Sequence, residues 1–214
     1  MAETSKRPAG SRWSLPPGLP DSGSVLLAGD LHAHHAEDRC AALMTPATDR
    51  PLTLLYVAFT RSNGTRQPVW MNMVGDAWPT RVCIVTAGGD PVSLIPAYDG
   101  SDGPPVPTTI ETVSDPADLT ALGVAITKCV RNTDSNAQIA GCVRSLTGLL
   151  QYVSLDRAYQ FLDVLTSSLA GSDGRVHFHI DPAAHDDRTM NTLISLFDCV
   201  VETDGDGEPV VRTR

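Results

Sequence analysis

Short apolar runs, each closed by turn-forming residues, recur along the chain. Leu52 to Phe59 (Leu-Thr-Leu-Leu-Tyr-Val-Ala-Phe) is the clearest. A run with no polar face fits a strand covered on both sides. Ser24–Ala28, Val82–Thr86, Ile139–Val143, Arg175–Ile180 and Cys199–Glu202 read as further strands, Arg175–Ile180 alternating with Val176, Phe178 and Ile180 on one face. Between them the apolar spacing changes to the helical period. A helix is predicted from about Glu37 to Met44, stopped by Pro46. Another begins at Asp115-Pro116, with Asp as cap, Pro at the first helical position and Asp118 in the first turn. Its buried stripe is Leu119, Leu122, Ile126 and Val130. A third follows Ser154 as cap, with Asp156 in the first turn and Leu155, Tyr159, Leu162, Leu165 and Leu169 on one stripe. A fourth, capped by Asp186 or Asp187, turns Met190, Leu193, Ile194 and Phe197 inward.

Arg61-Ser-Asn-Gly64 breaks the second strand, and a short helix is expected to run to Val74. Residues 98–109, rich in Gly, Pro and Asp, form a loop. The acidic Asp204-Gly-Asp-Gly segment leads to an edge strand ending near Val211. No internal repeat is visible. Residues 1–22 carry four prolines and read as a flexible arm. The body then spans 23–205, with a polar tail or edge strand over 206–214. Strands alternating with helices imply right-handed crossovers. The fold class is therefore α/β: three layers, a mostly parallel sheet, helices on both faces.

Such sheets bind ligands at the carboxyl ends of their strands. The ligand-binding candidates there are Asp30, Ser145, Thr147, His177, Asp181 and His185. No G-x-S-x-G elbow surrounds Ser145. Its plainer role is to hydrogen-bond the turn that follows, and no catalytic residue is assigned. Asp181-Pro182 and Asp186-Asp187 read as caps and turn formers.

Charge narrows the partners. The 214 residues carry a net charge of −9, which disfavours nucleic acid. Of 16 basic residues only Lys6 and Lys128 are lysine, and Asp outnumbers Glu 20 to 5. Short carboxylates with few lysine stems resemble proteins of salt-accumulating haloarchaea, where a Debye length of roughly 3 Å screens self-repulsion. The plainer alternative is an acidic, high-GC bacterial protein. No apolar run is long enough to span a membrane, and no signal peptide is evident, so a cytoplasmic location is expected. Cys40, Cys83, Cys129, Cys142 and Cys199 are scattered singly, without CxxC spacing. They read as small buried apolar residues in a reducing compartment.

One stretch competes for chemistry. Asp30-Leu-His32-Ala-His34-His35 puts His-x-His at a strand end, and Arg175-Val-His177-Phe-His179 repeats it late in the chain. Paired imidazoles are metal-ligand types. The first of these also resembles the opening motif of the polymerase-and-histidinol-phosphatase-type phosphoesterases. Residues 45–170 hold no histidine, however, and that family needs further motifs between its ends. The leading reading has no metal; the alternative is a metal-dependent hydrolase using His32, His34, His177 and His179.

Four blocks taken together carry a stronger resemblance: Val-Leu-Leu-Ala-Gly, Leu-Leu-Tyr-Val-Ala-Phe-Thr-Arg-Ser, Ser-Leu-Thr-Gly-Leu-Leu-Gln-Tyr-Val and His-Phe-His-Ile-Asp-Pro-Ala-Ala-His-Asp. They resemble a haloarchaeal family of RecA/KaiC-like domains, some labelled Htr-like, over most of residues 23–203. The resemblance implies a RecA-like, P-loop-type sheet and a role in signalling or regulation. A working P-loop needs G-x-x-x-x-G-K-[ST] to hold phosphates. Laid from Gly29, the second glycine, lysine and hydroxyl positions are His34, His35 and Ala36. Where the fold places a magnesium-side Asp, before Ser145, this chain has Arg144, which cannot ligate Mg²⁺. The expectation is a pseudo-ATPase: a regulatory or interaction protein with a protein partner or self-association. A nucleotide bound without turnover is the one cofactor left open.

Overall fold

The computed structural model describes residues 15–30, 33, 36–44, 50–59, 79–88, 106–170, 173–203 and 209–213. In chain order these form β1 (Gly23–Ala28), α1 (Ala36–Met44), β2 (Leu52–Phe59), β3 (Arg81–Ala87), β4 (Thr108–Val113), α2 (Leu119–Arg131), β5 (Gln138–Arg144), α3 (Leu146–Leu149), α4 (Leu155–Leu169), β6 (Gly174–Ile180), α5 (Asp187–Ile194), β7 (Cys199–Glu202) and β8 (Val210–Thr213). The strands make one eight-stranded sheet in the order β4-β3-β2-β5-β6-β1-β7-β8. Every pairing is parallel except β7 with β8. This is a mostly parallel α/β sheet with helices on both faces, consistent with the three-layer arrangement expected.

The apolar runs explain the layering. All eight residues of β2 are buried, because helices cover both faces. On one face α2, α3, α4 and α5 pack on Leu26, Val57, Val85, Val143, Val176, Phe178 and Ile180. On the other, α1 supplies Cys40, Ala41 and Met44 against Leu54, Tyr56, Ile84, Ala140 and Cys142, and Leu43 against Val25, Leu27 and Val201. Odd and even residues of one strand serve opposite layers. In β6, Val176, Phe178 and Ile180 face α2–α5, which leaves Arg175, His177 and His179 on the α1 side.

Among the described residues the expected strands and helices are present, with several differences: α3 was not expected, and Phe197 lies beyond the end of α5. β4 was not expected as a strand; only its first two residues, Thr108 and Thr109, fall in the expected loop. Its Thr-Thr-Ile-Glu-Thr-Val sequence is too polar for a doubly covered strand, and it is an edge strand, paired only with β3. The helix expected at Asp115-Pro116 starts later. Asp115 Oδ1 accepts from Ala117 N at 2.9 Å in a preceding turn, and Asp118 Oδ1 caps α2 through Ala121 N at 2.9 Å. Ser154 does precede α4 but makes no side-chain cap bond, and Ala158 and Thr166 join Leu162, Leu165 and Leu169 on its buried side. The edge strand expected near Val211 is β8, antiparallel as an edge allows. The loop over residues 98–105, the break at Arg61–Gly64 and the helix to Val74 lie outside the described residues.

Candidate functional site

At the carboxyl edge the turns after β5 and β6 meet. Ser145 Oγ accepts from Gly148 N at 3.1 Å and so caps α3. The Arg144–Ser145 peptide is cis. Thr147, inside α3, accepts from Asp181 N at 3.0 Å and bonds His185 Nε2 at 3.0 Å. Asp181 Oδ1 accepts from Ala183 N at 3.0 Å, closing the turn over Pro182–Ala184. Asp186 caps α5 through Thr189 N at 2.8 Å, and the Thr189 side chain, then that backbone bond, hold its carboxyl below the usual carboxylate range.

Four of the strand-end candidates, Ser145, Thr147, Asp181 and His185, therefore form one connected patch. Asp30 stands exposed at the end of β1, beside β6 in the sheet. His177 is elsewhere: it is mid-strand, fully buried and on the α1 side. Thr147 joins the two turns, and Thr147→Val would leave Asp181 N without its partner. The expected cost is about 1–3 kcal/mol, read as a lower urea midpoint with unchanged secondary structure.

A second cluster lies under α1. Cys142 of β5 and His177 of β6 are direct neighbours in register. His179, two residues on, shares the face of His177. Cys40 reaches them from α1. All four side chains are buried. Cys40 Sγ lies 3.5 Å from Cys142 Sγ, His177 Nε2 lies 3.3 Å from Cys40 Sγ, and the two Nε2 atoms are 3.1 Å apart. The four ligand atoms lie within 4.8 Å of one another. These types, S₂N₂ at this spacing, suit a tetrahedral transition-metal ion.

The electrostatics agree. The hydrogen bond from Cys142 holds the Cys40 thiol well below its ordinary range, and the nearby His177 adds to this. Burial, then the Cys40 neighbour, push Cys142 well up. Burial lowers the pKa of His179, so its imidazole is neutral, the form that ligates metal. His177 Nδ1 is buried with no hydrogen-bond partner among the described residues. An orphaned ring nitrogen costs about 1–3 kcal/mol. The contacts at Nε2 include an S–H group, a weak donor.

Of the imidazoles proposed for a metal, His177 and His179 converge, while His32 and His34 lie outside the described residues. Sequence reading overlooked Cys40 and Cys142. They are buried and in no disulfide, as expected of packing residues, but they also face two histidines. The signal was present in part: His-x-His on one strand face, with a cysteine on another strand. It becomes legible only once β5 is known to lie beside β6.

The sequence profile of a family of unknown function, DUF7504, matches residues 22–203. The chain belongs to that family. No curated protein matches it. Among solved structures, this DUF7504 chain is similar to the uncharacterized protein PH0321 from Pyrococcus horikoshii, determined in complex with an unknown peptide. The TM-score is 0.54 at 12% identity, covering 90% of this chain and 83% of that one. PH0250 from Pyrococcus horikoshii OT3 gives a TM-score of 0.48 at 10% identity, covering 90% and 86%. At such identities the likeness to PH0321 speaks for the fold of the DUF7504 chain alone. No described helix is long and apolar enough to cross a membrane.

Proposed function

We propose that this DUF7504 member is a non-catalytic regulatory or interaction protein of a haloarchaeal cytoplasm, built on a RecA-like sheet that no longer turns over nucleotide. One observation carries the reading. At the edge where a RecA-like enzyme assembles its magnesium and phosphate ligands, the hydroxyls of Ser145 and Thr147 and the carboxylate of Asp181 are committed to caps and turn bonds. The residue ending β5 is Arg144, a cation where phosphoryl transfer needs a metal-binding carboxylate. Without a metal held there, charge developing on a transferred phosphoryl group lacks its main counter-charge.

Two features support a protein partner. Val124 on α2 and Val164 on α4 are 63% and 69% exposed. They flank a groove of about 640 Å³ floored by Gly123, Phe161 and Leu165. Its rim also carries Lys128, Arg131 and Asn132, so it offers a partner both apolar and basic contacts. The fold relative PH0321 was itself determined with a peptide bound.

The test is nucleotide turnover in molar KCl, with and without Mg²⁺. ATP and GTP should be hydrolysed no faster than in buffer. Mg²⁺-dependent hydrolysis that is lost in Ser145→Ala would sink the reading. A thermal shift with either nucleotide, absent turnover, would point instead to a nucleotide-binding regulator. The hydrolase alternative finds favour in the meeting of His177 and His179, but their two thiol neighbours leave no position for a reacting water.

A further inference from the structure

We propose that Cys40, Cys142, His177 and His179 bind a single zinc ion, all four positions filled by protein, and that the ion pins α1 to the sheet. Spacing argues first. Zinc bonds of about 2.3 Å to sulfur and 2.0–2.1 Å to nitrogen set tetrahedral ligands about 3.8 Å (S–S), 3.6 Å (S–N) and 3.3 Å (N–N) apart. Three of the six separations here, Cys40–Cys142, Cys40–His177 and His177–His179, are 3.5, 3.3 and 3.1 Å, in the same rank order. A two-iron cluster with two Cys and two His ligands would divide sulfurs and nitrogens between different irons. Here a sulfur and a nitrogen touch at 3.3 Å and all four ligand atoms lie within 4.8 Å of one another, so the four ligands converge on one point.

Charge argues next. An ion buried in a protein interior must be neutralised where it sits. Two thiolates and two neutral imidazoles cancel Zn²⁺. Binding releases the two thiol protons to solvent, and no electron changes hands. His177 and His179 already present the same nitrogen, Nε2, to the cluster.

Topology argues third. The ligands come from α1, β5 and β6, which are far apart in the chain. α1 has nine residues, a length that is marginal for a free helix. It is the one described helix on its face of the sheet. A closed four-ligand site there is structural rather than catalytic. This inference does not rest on the proposed function, and either one survives failure of the other.

The experiment uses the full chain without a His-tag, purified under reducing conditions in molar KCl. Metal content is measured by mass spectrometry, and the apo chain is titrated with Co²⁺ and then Zn²⁺. The expected results are roughly one zinc per chain, intense visible bands of tetrahedral thiolate-bound Co²⁺, and their loss when Zn²⁺ is added. Chelation should lower the melting midpoint. Cys142→Ser and His179→Asn should each lose the metal, while Cys83→Ser, changed in the opposite layer, should keep it. If Cys142→Ser does not fold, the cobalt titration of the parent chain still decides. A parent chain that gives no thiolate–cobalt bands overturns the proposal. So does a Cys40–Cys142 disulfide in the chain alkylated at lysis, or iron with inorganic sulfide in place of zinc.

Discussion

Gly174→Ala should cost at least about 3 kcal/mol and lower the urea midpoint by about 1 M or more. Gly174 opens β6 with φ at +142°, a region that residues with a Cβ rarely adopt. The strain alone is worth about 1–3 kcal/mol. Space adds to it: an added Cβ would meet the backbone carbonyl and nitrogen of Ile139. Ile139 is the β5 partner of Gly174, and its N donates to Asp173 O at 2.8 Å. Backbone held in a ladder cannot give way as a side chain can, so β5 and β6 would have to part. Cys142 and His177 face each other across the same two strands. The variant should therefore also surrender zinc to a chelator more readily than the parent. A stability within about 0.5 kcal/mol of the parent's, the ordinary range for a neutral surface change, would refute this account of the β6 start.

Phe178→Ala should cost about 3–5 kcal/mol, the range for deleting a buried aromatic. Phe178 is fully buried. Its strand neighbours in register are Leu26 and Val143, and its ring meets Phe197 with centroids 5.1 Å apart. The ring thus joins β1, β5 and the approach to β7 on the face covered by α2–α5. The surroundings are sheet and cannot collapse into the void. With about 2–4 °C per kcal/mol for a chain of this size, the melting midpoint should fall by about 6–20 °C. Phe178→Leu, which keeps more of the volume, should cost clearly less. The flanking His177 and His179 point to the other face, so the folded fraction of either variant should retain its metal. Loss of metal in step with loss of stability in Phe178→Leu would show that the two faces are not independent.

These two residues, four apart on one strand, show how unevenly the sequence could be read. Phe178 announced itself, because an alternating strand with an apolar face says which side chains are core. Gly174 sits just before the strand expected from Arg175, and nothing local says that a neighbouring carbonyl will sit where its Cβ would be. The strand-end patch was legible in the same partial way. Ser145, Thr147, Asp181 and His185 were found from the rule that parallel sheets bind ligands at their carboxyl ends. His177 was grouped with them as a strand-end residue, yet strand geometry puts it deep in the sheet on the opposite layer. Cys40 and Cys142 looked like packing residues because a cysteine's neighbours across a sheet are not written beside it.

Local pattern sufficed to say which segments are strands or helices, which faces they bury and that the sheet is parallel, because those properties repeat every two or every 3.6 residues. It also showed that a phosphate cradle is not spelled out after Gly29. Three-dimensional pairing alone settled the order of the strands, the edge role of β4 and the meeting of two thiols with two imidazoles under α1. Those depend on which distant segments become neighbours, and a contact between residues 40, 142 and 177 leaves no trace in the spacing around any one of them.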